Sequence, residues 1–268
     1  MSLPKAVMVI TVNVHGTGPE RVDTPEVALH GKLAHGRYTY RAGLPRLLDM
    51  LRHHDIAATF FWPTFEAEQA PALLARCLAE GHEVASQGLA FEDLAQLGDR
   101  ERAVLQQARD RLAALTGTLP RGFRQTSSGF SAYTLSILRD LGYQYDSSGF
   151  DDDRPYALTA EGCHGMIELP WSEGLNDSYY FGRRVTQDRA YAHMAEQAEA
   201  LLAADGYACL TLHPRADLGV GRAARLQMVE RLLCHLHSKF QLRFATCASV
   251  ASQIIDTSTS AGNLELPL

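Results

Sequence analysis

Eight residues stand directly after short apolar runs, and most of them can do chemistry: Asn13, His15, Pro63, Gln87, Arg124, Asp146, Trp171 and His213. His15 and His213 carry imidazoles whose ordinary pKa of about 6.5 suits proton transfer in either direction near neutrality. The guanidinium fork of Arg124 suits a planar anion on a ligand, a carboxylate or a phosphate. Trp171 offers a ring face on which a sugar or a purine-derived ring could stack. Each residue also has a purely structural reading. His213 before Pro214 can cap a strand, His15 beside Gly16 can turn the chain, Gln87 can be a hydrogen-bonded filler, and Trp171 can face the core. Asp146 with Ser147 and Ser148 reads as a helix or turn cap. Their joint occurrence at strand ends marks a pocket without naming a reaction.

Other patterns carry less. The run Asp151-Asp152-Asp153 lacks the spacing of a calcium loop and reads as a solvated turn. Gly16-x-Gly18 and Gly219-x-Gly221 lack the third glycine and the strand-to-helix setting of a dinucleotide site. Ser127 and Ser128 have no nucleophile elbow around them. Five cysteines, an odd number with no C-x-x-C pair, suggest neither a disulfide framework nor a zinc knuckle and point to reduced, mostly buried thiols.

The elements that must position the eight residues follow a β-then-α rhythm. Apolar runs over Ala6–Val12, Ala57–Trp62, Glu83–Ser86, Gly122–Arg124, Tyr143–Asp146, Met166–Leu169, Ala208–Leu212 and Leu242–Ala245 have the length and flanks of parallel strands buried on both faces. Between them, Leu44, Leu47, Leu48 and Leu51 recur at helical spacing. Arg100–Thr116 forms a helix that Gly117 stops, and Ser131 is placed to cap a helix that Gly142 ends. Arg189–Ala204 and Arg222–Ser238 supply two more. This order predicts an α/β fold: a single, distorted (β/α) barrel of seven or eight strands over residues 1–255, with a polar, mobile tail over 256–268. The segments Glu20–Tyr40 and Asp146–Met166 are long for ordinary connections and should roof the active face.

Composition sets the outer limits. The chain has 268 residues, 46% apolar and 21% charged, with a net charge of −6, as expected of a globular protein. Dispersed basic residues leave no stripe to neutralise a phosphate backbone, so nucleic acid is not an expected partner. The first apolar run is about a third of a membrane span and lacks the flanks of a signal peptide, so neither a membrane partner nor export is expected and the reading is a cytoplasmic protein. A homo-oligomer stays open, since Glu20–Tyr40 or Arg222–Ser238 could supply a dimer face.

A set of blocks, in order along nearly the whole chain, resembles the polysaccharide deacetylase (NodB-homology) family, and within it the cytoplasmic allantoinase-like branch. The blocks are Arg41-Ala-Gly-Leu-Pro-Arg-Leu-Leu-Asp49, Ala58-Thr-Phe-Phe61, Gly81-His-Glu-Val-Ala-Ser86, Pro120-Arg-Gly-Phe-Arg124, Tyr145-Asp-Ser-Ser148, Asp152-Asp-Arg-Pro-Tyr156 and Leu212-His-Pro214. The resemblance implies a distorted (β/α) barrel and hydrolysis of a non-peptide C–N bond in a carbohydrate or ureide. It also implies an Asp base, a divalent metal held by Asp-His-His, an Arg that orients the base and a His acid.

At those positions the chain departs from the family. Where the family reads Asp-x-Asp it has Asn13-Val14-His15, and where the family reads His-x-x-x-His it has Gln87-Gly-Leu-Ala-Phe91. An Asn amide oxygen is barely basic and Phe91 has no lone pair to give. One imidazole and one amide do not make the three firm ligands of a catalytic zinc. Without a metal, bound water keeps a pKa near about 15.7 in place of about 7. The resemblance thus implies catalytic positions at Asn13, Arg124 and His213, substrate contacts at His15, Gln87, Phe91 and Trp171, and no cofactor beyond a weakly held divalent metal. Allantoinase-like relatives are thought to work without a metal, which keeps turnover open through a His15 and His213 acid–base pair. The competing expectation is a catalytically silent relative that binds a carbohydrate-like ligand or a partner through the same pocket.

Overall fold

The computed structural model describes residues 5–21, 29–126, 129–159 and 162–260. Nine strands among these are β1 (Lys5–Asn13), β2 (Thr59–Trp62), β3 (Glu83–Ser86), β4 (Gly122–Phe123), β5 (Tyr145–Asp146), β6 (Tyr156–Ala157), β7 (Ile167–Glu168), β8 (Tyr207–Leu212) and β9 (Gln241–Ala245). They form one sheet in the order β6-β7-β5-β4-β3-β2-β1-β8, with β9 also on β1. Every pairing is parallel except β6 on β7. The sheet curls into an incomplete barrel, and a single parallel bridge between Asn176 and Thr211 spans the gap from the segment after β7 to β8.

The period of two along β1 explains how one chain builds two environments. Ala6, Met8, Ile10 and Val12 point outward, where α3 (Leu44–His53), α9 (Gln187–Ala204) and α10 (Ala223–Lys239) cover them in the main core. The alternate residues, Val7, Val9, Thr11 and Asn13, point into the barrel. On β8 the same alternation turns Ala208, Leu210 and Leu212 outward and Tyr207, Cys209, Thr211 and then His213 inward. The lower lumen is filled by Val9, Phe61, Tyr145, Ile167, Tyr207 and Cys209. Each large apolar side chain buried there contributes roughly 1.5–3 kcal/mol. From Thr11 and Thr211 upward the lumen turns polar.

The remaining helices are α1 (Gly18–Arg21), α2 (His35–Tyr38), α4 (Thr64–Gln69), α5 (Pro71–Ala79), α6 (Glu101–Thr116), α7 (Thr134–Asp140), α8 (Asp177–Phe181) and α11 (Cys247–Ser260). Gly117 ends α6 in the left-handed conformation, φ 77°, which a side chain would strain. The structure corrects the expected cap of α7. The helix begins at Thr134, and the Ser131 hydroxyl instead accepts from Tyr133 N in the preceding turn. Helix α11 continues to Ser260, past the expected end of the barrel at 255, and its Cys247, Ala248, Val250 and Ala251 join the lower lumen core. Of the expected tail, 261–268 lie outside the described residues, as do 22–28 of the first roof segment. Strand β6, within the second roof segment, had no apolar run to announce it.

Candidate functional site

A cavity of about 360 Å³ opens at the C-terminal ends of the strands, where Asn13, His15, Arg124, Trp171 and His213 meet. A hollow of about 430 Å³ lies at the opposite end, among Lys5, Gly206 and Gln241–Arg243. No strand-end group of the kind described above reaches it, so the smaller cavity is the candidate site. Gln125, Ser148, Asn176 and Ser178 add amide and hydroxyl groups to the cavity, and Phe150 stands edge-on to Trp171, ring centroids 5.8 Å apart. Gln87 and Phe91 support His15 instead. His15 Nε2 lies 3.1 Å from Gln87 Oε1, and the His15 and Phe91 rings meet edge to face at 5.0 Å.

Arg124, 2% exposed, reaches across the lumen from the end of β4. Its Nε donates to Ser147 O at 2.7 Å, one terminal nitrogen to Thr11 Oγ1 and Asn13 Oδ1 at 2.8 and 3.2 Å, and the other to Ser147 Oγ at 2.7 Å with a long contact to Cys209 Sγ. The plane lies 4.3 Å above the Phe61 ring. All five N–H groups therefore have partners within the protein. This corrects the expectation that the fork binds a ligand anion: Arg124 has no donor to spare, and among the described residues it makes no ion pair.

That occupancy decides the orientation of its neighbour. Arg124 can only donate, so the Asn13 oxygen must face it and the Asn13 Nδ2 must face His213 Nε2, 3.1 Å away. On the far side of the ring, His213 Nδ1 lies 2.7 Å from Asp177 Oδ1, while Asp177 Oδ2 accepts from the backbone N–H groups of His213 and Val220. The network assigns His213 a proton on Nδ1 and a lone pair on Nε2. Gln87 is oriented in the same way. Its Nε2 donates to Gln125 O, so its oxygen accepts from His15 Nε2. Burial, together with the neighbouring His213 and the positive charges of Arg215 and Arg124, holds the His15 pKa well below its usual 6.5, so this ring is neutral at pH 7.

Two carboxylates that sequence reasoning missed hold these groups in place. Asp177 is fully buried, yet Asn176-Asp177-Ser178 reads in sequence as a helix start, and Asn176 does cap Ser178 N. Glu66, fully buried on α4, accepts from Gly18 N at 2.7 Å and from the Tyr40 hydroxyl, anchoring the loop that carries His15. Burial pushes its pKa from 4.5 up to about 7, against backbone N–H groups of Gly16, Thr17 and Gly18 that pull it down. The glycines of Gly16-x-Gly18 are explained by this packing. A Cβ at Gly18 would lie 2.1 Å from Phe91 Cε2, and one at Gly16 2.0 Å from the Tyr40 oxygen.

The cavity's donors do not fit a divalent metal. His15 turns its Nε2 proton toward Gln87, the His213 lone pair faces an Asn13 N–H, and among the described residues no carboxylate lines the cavity. Among the described residues the three-residue set of His, Cys, Asp or Glu with converging donor atoms lies elsewhere, at His53, His54 and Glu230.

Comparison with known proteins agrees with the architecture. A family model described as polysaccharide deacetylase matches residues 37–145. The peptidoglycan deacetylase of Helicobacter pylori is 29% identical over 126 residues, which is 46% of this chain and 43% of that protein, so the match spans less than half of the relative. Among solved structures, a Mycobacterium smegmatis chain assigned to the polysaccharide deacetylases superposes with a TM-score of 0.87 at 25% identity, covering 100% of this chain and 98% of that one. The Puue allantoinase superposes at 0.80 and 21% identity, over 97% and 92%, a likeness of fold. In its curled parallel sheet, its strand-end cavity and these likenesses, the chain is similar to the polysaccharide deacetylase family.

Proposed function

We propose that this chain hydrolyses an amide-type C–N bond in a small carbohydrate or ureide without the family's metal, His213 taking the proton of the attacking water. The observation that carries this reading is the chain of bonds from Asp177 through His213 and Asn13 to Arg124, which keeps Nε2 unprotonated at the cavity wall, its lone pair held by the Asn13 N–H until water displaces that contact. Water oxygen bonds to the amide carbon and its proton passes to Nε2, while the carbonyl electron pair moves onto oxygen. The buried Asp177 carboxylate stabilises the imidazolium, and the Asn13 N–H and the Arg124 charge favour the oxyanion. His213 then returns the proton to the leaving nitrogen as the C–N bond breaks. Phe150 and Trp171 form an apolar wall for a ring, and the amide and hydroxyl groups opposite suit a neutral, hydroxyl-bearing or amide-bearing ligand. The free thiols of Cys77, Cys209, Cys234 and Cys247 support a reducing, cytoplasmic setting.

A second reading, binding without turnover, is favoured by one contact: the Asn13 N–H already occupies the His213 lone pair. Assays on N-acetylated chitooligosaccharides and on allantoin, with and without a chelator, separate the two. The hydrolytic reading expects turnover that the chelator leaves intact and that His213→Ala lowers by about 10²–10⁴. Absence of turnover, with saturable ligand binding that His213→Ala leaves unchanged, establishes the second reading.

A further inference from the structure

The helix α3 ends at the face of the barrel opposite the cavity, because it must run back from the top of β1 to the start of β2. Its last residue, His53, is exposed, and its C-cap, His54, is half-buried. The two rings meet edge to face, centroids 5.0 Å apart. Glu230, on the neighbouring α10, brings Oε1 to 2.8 Å from His54 Nε2. One ligand atom from each of the three residues lies within 4.8 Å of the other two. A tetrahedral zinc with bonds of about 2.0–2.2 Å needs its donors roughly 3.3–3.5 Å apart, a spacing this set reaches by small side-chain rotations.

We propose that His53, His54 and Glu230 form a zinc site that staples α3 to α10, with water as the fourth ligand. Two imidazoles and one carboxylate are the donor chemistry zinc takes. The carbonyls at the end of α3 add a favourable field for a cation. His53 provides access from solvent, and the partly shielded His54 and Glu230 provide a pair already in register. The inference is independent of turnover in the cavity, which lies across the barrel. It also means that zinc retained by the purified chain is not by itself a sign of the family's metal in the cavity.

The test is calorimetric titration of the full chain with zinc sulfate, alongside the visible absorption of bound cobalt. One equivalent binding in the micromolar range with a tetrahedral cobalt spectrum is expected. His54→Ala and Glu230→Gln should each weaken the affinity at least tenfold, and His53→Asn, at an exposed position where folding is not in question, should do the same. Cys234→Ser, the exposed thiol on α10, and His15→Ala should leave it unchanged. Absence of saturable binding, binding that survives the His54 and Glu230 changes, or binding that His15→Ala abolishes would each overturn the site.

Discussion

Asn13 is the residue on which the cavity's electrostatics turn. It supplies Arg124 with an uncharged acceptor, so a guanidinium that is 2% exposed sits among neutral groups. Asn13→Asp would place a carboxylate against a cation whose burial cost the fold already bears. We expect stabilisation of about 1–3 kcal/mol, read as a higher urea midpoint with an unchanged slope. The same change should draw a proton onto His213 Nε2, visible in the imidazole nitrogen shifts. Asp177→Asn tests the other end of the chain of bonds. Its side-chain N–H would oppose the His213 Nδ1 proton and reverse the tautomer, so turnover should fall by about 10²–10⁴ while ligand binding persists. Asn13, His15, Arg124 and His213 were legible in sequence because strand ends announce themselves. The saturation of Arg124 was not, since Ser147, Thr11 and Cys209 come from three strand ends or strands whose inward faces only the barrel defines. Asp177 stayed hidden because a buried acid and a helix-start acid share one sequence pattern.

At the scale of elements, the loop from β1 to α1 is held by a carboxyl group that is costly to ionise. The Glu66 pKa is raised from 4.5 to about 7, mainly by burial. The folded chain therefore binds more protons than the unfolded chain between these values, and this group's contribution to stability falls as pH rises from about 4.5 to about 7. The loss is on the order of 3 kcal/mol and is complete above that window. Denaturation midpoints at pH 5 and pH 8 should show it, and Glu66→Gln should flatten the difference. Gly18→Ala, which drives a methyl group into Phe91 and Glu66, should cost about 1–3 kcal/mol and raise the ligand KM by displacing His15. The eight main strands and the long helices were legible because parallel strands and amphipathic helices have distinct periods. Strand β6 is two residues long, and α11 is rich in Ser and Thr. Neither shows a period strong enough to read, so the plug under the lumen went unrecognised.

At the scale of the molecule, the scaffold keeps the architecture of a deacetylase while the cavity carries a different set of donors. Asn13→Asp, His15→Asp, Gln87→His and Phe91→His together should create a second zinc equivalent, separable from the α3–α10 site by its survival in the His54→Ala background. Failure to gain that equivalent, in a chain that still folds by circular dichroism, would show that the surroundings of the four positions have also diverged. Closure of the barrel has a consequence of its own. The seam beside β8 has one backbone bridge, between Asn176 and Thr211, with the bonds of the Asp177 side chain beside it, whereas β1 is zipped to β8 along six residue pairs on its other flank. The wall should therefore part there first. Amides of the Asn176 region should exchange with deuterium sooner than those of β1, and a molecule too wide for the mouth would gain entry through that flank, next to the imidazole it has to reach.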